Sequence, residues 1–129
     1  LNFDGNTGPY AQYTYARTCS VLAKAKEAGY SAEAYTGEYT PNAAELELAK
    51  ALSLFGEKVD DALAQYEPSI IVRYILDICA SFNRFYNSCR ILGAEREEEV
   101  RFRLGLVRAT NITLGSALHL VCMRTPAKI

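Results

Sequence analysis

The 129-residue chain holds one histidine, one methionine, four prolines and four cysteines, and no tryptophan. A lone histidine, His119, rules out a His pair for zinc and offers no dependable Ser–His–Asp set; late in a helix it reads as structural or surface. Cys19, Cys79, Cys89 and Cys122 are widely spaced and form no Cys-x-x-Cys pair. They are expected to sit reduced, in or near the core. There is no P-loop and no Gly-x-Gly-x-x-Gly. Asp60 and Asp61 point to different sides of a helix, and Glu45 and Glu47, two apart, do not face each other. The residues themselves therefore support no catalysis and no metal site. No apolar run approaches the roughly 20 residues that span a bilayer. The start, LNFDG, has neither the basic end nor the apolar run of a secretion signal. A soluble, cytoplasmic chain with no membrane contact is expected.

Half of the residues are apolar and 22% are charged, a globular composition. The length suits one domain over 1–129, able to bury a core without metal or disulfide help. Net charge is −1, which argues against indiscriminate nucleic-acid binding. Its distribution says more, since residues 1–68 carry five Lys/Arg against ten Asp/Glu, and residues 69–129 carry nine against five. Eight of those nine are arginines, suited to phosphate forks and to stacking on bases. A local polyanion contact and ordinary solvated helix faces both fit this asymmetry.

Helical periods fill nearly all of the chain and strict alternation is absent, which predicts an all-α fold. The first helix opens with Thr7 or Gly8 as N-cap and Pro9 at its first position, and Gly29 ends it. A Tyr- and Gly-containing segment, Tyr30 to Pro41, reads as a mobile loop. Asn42 and Glu45 form a capping box for a short helix with Leu46, Ala49 and Leu52, stopping at Gly56. A third helix, Glu57 to Tyr66, turns Val59, Leu63 and Tyr66 inward. Pro68 opens the fourth, where Ile71, Ile75, Ile78, Phe82, Phe85 and Cys89 step by three and four along a core seam, and Gly93 breaks it. The fifth starts at Glu97, Glu98 and Glu99, carboxylates well placed at a positive helix end. Its core positions are Val100, Leu104, Val107, Leu114, Leu118 and Val121, with Asn111 interrupting and needing a partner. Three long and two short helices make a bundle.

On the first helix, Tyr10, Tyr13 and Arg17 share one stripe, continued by Thr14, Val21 and Lys24. The opposite side, Ala11, Tyr15, Thr18, Cys19 and Leu22, is expected to pack inward. Two phenol rings and a guanidinium can stack on unpaired bases, and a tyrosine stripe can equally serve a core or a subunit interface. Asn83, Tyr86, Asn87 and Arg90 gather beside the seam of the fourth helix. These groups can bond base edges and phosphates, or simply coat an exposed helix.

Three blocks in order carry a family resemblance: GNTGPYAQYTYAR at 5–17, FNRFYNSCRILG at 82–93 and RLGLVRAT at 103–110. They resemble the C-terminal anticodon-binding domain of arginyl-tRNA synthetases, and PAKI at 126–129 stands where that family usually ends in Pro-x-x-Met. The resemblance implies a five-helix anticodon-binding bundle, non-catalytic by itself and excised from a class I synthetase that joins arginine to its tRNA. ATP and Mg2+ are implied for the catalytic domain, whose HIGH- and KMSK-type motifs are absent here, and no cofactor for this part. The implied partners are arginine tRNA, through its anticodon loop, and that catalytic domain, with a monomer as the expected state. Carried over position by position, the anticodon contacts are Tyr10, Tyr13, Arg17, Tyr86, Arg90 and Ile129, with Asn83 and Asn87 added from the face they share. Ile129 keeps an apolar wall where Met is usual, and Gly8 stands where Ala is common. The competing reading is a helical protein-interaction module that uses the Tyr10/Tyr13/Arg17 face.

Overall fold

The computed structural model describes residues 7–31 and 33–124. Those residues form five helices and no strand: α1 (Thr7–Glu27), α2 (Ala43–Ser53), α3 (Phe55–Gln65), α4 (Ser69–Ser88) and α5 (Glu97–Arg124). Only Leu54 separates α2 from α3, so these two also count as one broken arm of a four-armed bundle. No helix among the described residues is long and apolar enough to cross a membrane.

The seam of α4 organises the core. Ile71, Ile75, Ile78, Phe82 and Phe85 are all buried, and α1, α2, α3 and α5 each pack against this helix. Cys89, the last residue of the seam, is buried as the extended C-cap, so α4 ends before Gly93 is reached. One cluster joins Phe82, Phe85, Leu104 and Val107 to Leu48 and Val21. A second joins Ile71, Ile75 and Cys79 to Ala11, Ala62, Leu114 and Val121. On α5, Val100, Leu104, Val107, Leu114 and Val121 are buried as expected, and Leu118 is half-buried.

Helix α1 departs from its two-faced reading. Its buried residues are Ala11, Thr14, Thr18, Val21 and Ala25, so Thr14 and Val21 leave the presumed outer stripe while Cys19 is exposed. The cause is a helix lodged against both α4 and α5, which centres the buried arc between the two faces. Tyr15 faces α5, where a Cβ on Gly115 would come within 3.2 Å of its ring, so any larger residue there would require the ring to shift by a few tenths of an ångström. Thr7 is already helical, which places the N-cap outside the described residues. The other end is as read: Gly29 has φ +93°, and the amides of Gly29 and Tyr30 donate to the carbonyls of Lys26 and Ala25.

The capping box of α2 is present, with the Asn42 side chain accepting from Glu45 N and Glu45 Oε1 accepting from Asn42 N, both at 2.8 Å. The buried leucine, however, is Leu48, and Leu46 is exposed. Gly56 lies inside α3 and ends nothing. In α3 it is Ala62 that is buried; Leu63 and Tyr66 face outward, Tyr66 as a left-handed C-cap with φ 51°. A short helix that packs chiefly on α4 needs only a narrow inward stripe, and small Ala62 permits the approach.

Glu45 has a second role that its capping position hid. Its carboxylate is fully buried and accepts from Arg103 Nε at 2.6 Å and from Tyr39 Oη at 2.9 and 3.0 Å. Arg103 also donates Nη1 to the Arg90 carbonyl at 2.7 Å. Burial works against the Arg103 charge, but the hydrogen bond and charge of Glu45 prevail and hold its pKa above the ordinary value. Burial, then Glu45, raises that of Tyr39. Tyr39 stacks on Phe102 with ring centroids 4.3 Å apart, and Tyr30 Oη donates to Glu97 at 3.2 Å. The segment read as a mobile loop is thus pinned to the bundle at both ends. Asn111 finds its partners on α1, Thr18 Oγ1 at 3.0 Å and Cys19 Sγ at 3.3 Å. Cys79 and Cys89 are buried, whereas Cys19 and Cys122 are exposed, and all four are free thiols.

Candidate nucleic-acid interface

Packing of α1 against α4 sets the outward edge of α1 beside the flank of the α4 seam. Arg17 lies at the centre of this junction. Its guanidinium carbon is 4.1 Å from the centroid of the Tyr86 ring and 4.9 Å from that of Tyr13. Its Nη1 donates to Asn83 Oδ1 at 2.9 Å and its Nη2 to Tyr13 Oη at 2.6 Å. Asn83 then donates to Tyr10 Oη at 3.3 Å and to buried Thr14 Oγ1 at 3.1 Å. The rings are held from beneath as well, since Tyr86 packs on Phe82 with centroids 6.1 Å apart.

The result is a rigid, amphipathic surface. Cation–π contact and charge-assisted hydrogen bonds fix Arg17, and Arg17 fixes the two rings it touches. Tyr10 and Tyr13 remain 38% and 57% exposed, so ring area and hydroxyls face solvent. Near the edge of this surface Arg84 forms a bidentate pair with Glu47 of α2, both bonds at 3.0 Å. That arginine is committed, and its pKa is raised first by its hydrogen bond to Glu47.

Five of the eight residues singled out from sequence, Tyr10, Tyr13, Arg17, Asn83 and Tyr86, meet in this one network. Asn87 and Arg90 do not join it. They line a neighbouring cleft of about 350 Å³ with Lys24, Tyr86 and Leu92. The physical reason is helix phase and length: Asn87 lies in the last turn of α4, and Arg90 lies beyond its C-cap. Ile129 lies outside the described residues. Two further contributors, Thr14 and Lys24, are placed by the sequence on the α1 stripe but not among the site residues. Thr14 supports Asn83 from a fully buried position, and Lys24 shares the cleft with Arg90. Lys24 was legible as the next member of the α1 stripe, whereas Thr14 looked like an exposed residue until α4 covered it.

Residues 11–129 match the family model described as "DALR anticodon binding domain". The chain belongs to that family. The domain is 37% identical over 129 residues to the arginine–tRNA ligase of Clostridium kluyveri, covering 100% of this chain and 23% of that protein. Against the arginine–tRNA ligase of Clostridium perfringens it is 40% identical over 121 residues, 94% of this chain and 21% of that protein. Among solved structures it resembles the Thermus thermophilus arginyl-tRNA synthetase, with TM-score 0.76, 34% identity, and coverage of 93% of this chain and 21% of that one. The domain thus spans less than a quarter of the length of the curated relatives it matches.

Proposed function

We propose that this domain binds the anticodon loop of arginine tRNA on behalf of an arginine–tRNA ligase. The supporting observation is the Arg17 hub, which presents three tyrosines from two helices as one prearranged surface. Unpaired loop bases are recognised by stacking on aromatic or guanidinium planes and by hydrogen bonds to their edges, and this surface offers both. Each base stacked on a ring is worth roughly 1–3 kcal/mol. Tyr10, Tyr13 and Tyr86 supply stacking area, Arg17 and Asn83 hold it in place, and Asn87, Arg90 and Lys24 line the path that the adjoining backbone takes. Ile129 is assigned to the same site by family resemblance alone.

In this reading the domain performs no chemistry. A catalytic region of the same synthetase joins arginine to tRNA using ATP and Mg2+, and the domain supplies part of the tRNA selectivity. Cytoplasmic location and action as a monomer, with the domain folding as one unit over 1–129, complete the proposal. The test is steady-state aminoacylation by the full-length protein with arginine tRNA transcripts altered at single anticodon bases. A raised KM or lowered kcat/KM for some substitutions is expected. Equal kinetics for every anticodon variant would remove the function from this domain.

A further inference from the structure

The directions of the hydrogen bonds in the Arg17 hub follow from one property: a guanidinium only donates. The Asn83 atom facing Arg17 Nη1 must therefore be the amide oxygen, and the amide nitrogen must face the other way. Both of its protons are then committed, to Tyr10 Oη and to Thr14 Oγ1. Thr14 is free to accept because its own proton goes to the Tyr10 carbonyl at 3.1 Å. Tyr10 Oη is thus an acceptor toward the protein, and Tyr13 Oη is one too, from Arg17 Nη2. Neither phenol proton has an acceptor among the described residues. Both hydroxyls are in side chains open to solvent, so both protons turn outward.

We infer that Tyr10 and Tyr13 act as hydrogen-bond donors to the bound RNA, selecting acceptor atoms over exocyclic amino groups, and that Asn83 is the positioning residue that sets the direction of Tyr10. The inference rests on the RNA-reading function proposed above and adds its chemical sign. An amino group offered to either hydroxyl can use the remaining lone pair, but it leaves the phenol proton unpaired once water is excluded, which is the costly arrangement. Suitable acceptors are base carbonyl oxygens, unprotonated ring nitrogens and phosphate oxygens.

The experiment measures affinity of the full-length protein for the anticodon stem–loop hairpin of an arginine tRNA at one fixed salt concentration. Tyr10→Phe and Tyr13→Phe remove only the hydroxyl, and each is expected to weaken binding by about tenfold, the size of one hydrogen bond. Asn83→Asp keeps an acceptor for Arg17 but presents a carboxylate to Tyr10, drawing its proton inward. In that background the further change Tyr10→Phe should cost almost nothing, a comparison that cancels any general repulsion between the new carboxylate and RNA. Hairpins with one abasic loop position, or with one neutral methylphosphonate, identify the acceptor. The Tyr→Phe penalty disappears on the hairpin that lacks it, whether base or phosphate.

Undiminished binding by both Tyr→Phe variants, with wild type binding the hairpin, would overturn the donor assignment and leave the proposed function standing. A tenfold Tyr10→Phe penalty that persists beside Asn83→Asp would overturn the role of Asn83. No binding by wild type to any arginine hairpin would overturn the proposed function and this inference with it.

Discussion

The guanidinium of Arg17 on α1 lies 4.1 Å over the ring of Tyr86 on α4, and this contact makes one surface out of two helices. Arg17 also bonds Asn83 and Tyr13, so it acts as a keystone whose planar fork is in use on several sides. Lysine carries the same charge without the plane or the fork. Arg17→Lys is therefore expected to weaken hairpin binding about tenfold or more while leaving the slope of log affinity against log salt nearly unchanged. A large change in slope would instead make Arg17 a phosphate contact.

Tyr86 and Phe82 touch each other but have different duties. Phe82 is fully buried, and Phe82→Ala should lower unfolding free energy by about 3–5 kcal/mol. Tyr86 is half-buried, and Tyr86→Ala should cost roughly 1–3 kcal/mol of RNA affinity with helicity retained. Urea melts and hairpin titrations of both variants separate the roles. A melting midpoint for Phe82→Ala equal to wild type would show that the seam is not the core.

Arg103 and Glu45 form a buried ion pair whose members depend on each other. Arg103→Met strands a carboxylate that is fully buried, and a loss of about 3–5 kcal/mol in stability is expected. Adding Glu45→Gln removes the uncompensated charge and should restore part of that loss. Chemical denaturation of the single and double variants measures the recovery, and additive losses would contradict the coupling.

Tyr74 donates to the Ala51 carbonyl at 2.7 Å, and burial pushes its pKa from 10.0 up to about 12. The unfolded chain loses this proton near pH 10 and the folded chain keeps it, so the stabilisation is complete below pH 10 and is lost as pH rises toward 12. Burial likewise raises Cys79 from 9.0 to about 11, adding a loss of the same sign that begins one unit lower. Tyr74→Phe should cost about 1 kcal/mol at neutral pH through the lost hydrogen bond, yet flatten the decline above pH 10. Thermal melts from pH 8 to 11.5 reveal the difference in slope.

Some of these features are legible in the sequence itself. The α4 seam announces itself because six apolar side chains at helical steps leave no other way to bury them, and every one is buried. The Asn42/Glu45 box and the Gly29 terminus could be read because capping depends on residues within a few positions. Leu63 and Tyr66, turned inward by the sequence reading, and Leu46, set on the periodic face of α2, are all exposed, since short helices with several apolar residues offer more than one inner face and a neighbour decides between them. Thr14, read as part of the outer α1 stripe, is buried because α4 packs over it, which no local pattern announces.

Sequence alone determined the helical class, the long core helix and the presence of Tyr10, Tyr13 and Arg17 on one side of α1, all consequences of periodicity and local backbone chemistry. Tertiary structure decided what that side does. Asn83 is 66 positions from Arg17 along the chain, and only the packing of α4 on α1 brings its amide within 2.9 Å and turns separate side chains into one oriented network. Glu45 shows the same division: its cap is a matter of three residues, whereas its ion pair with Arg103 required the whole bundle to close around it.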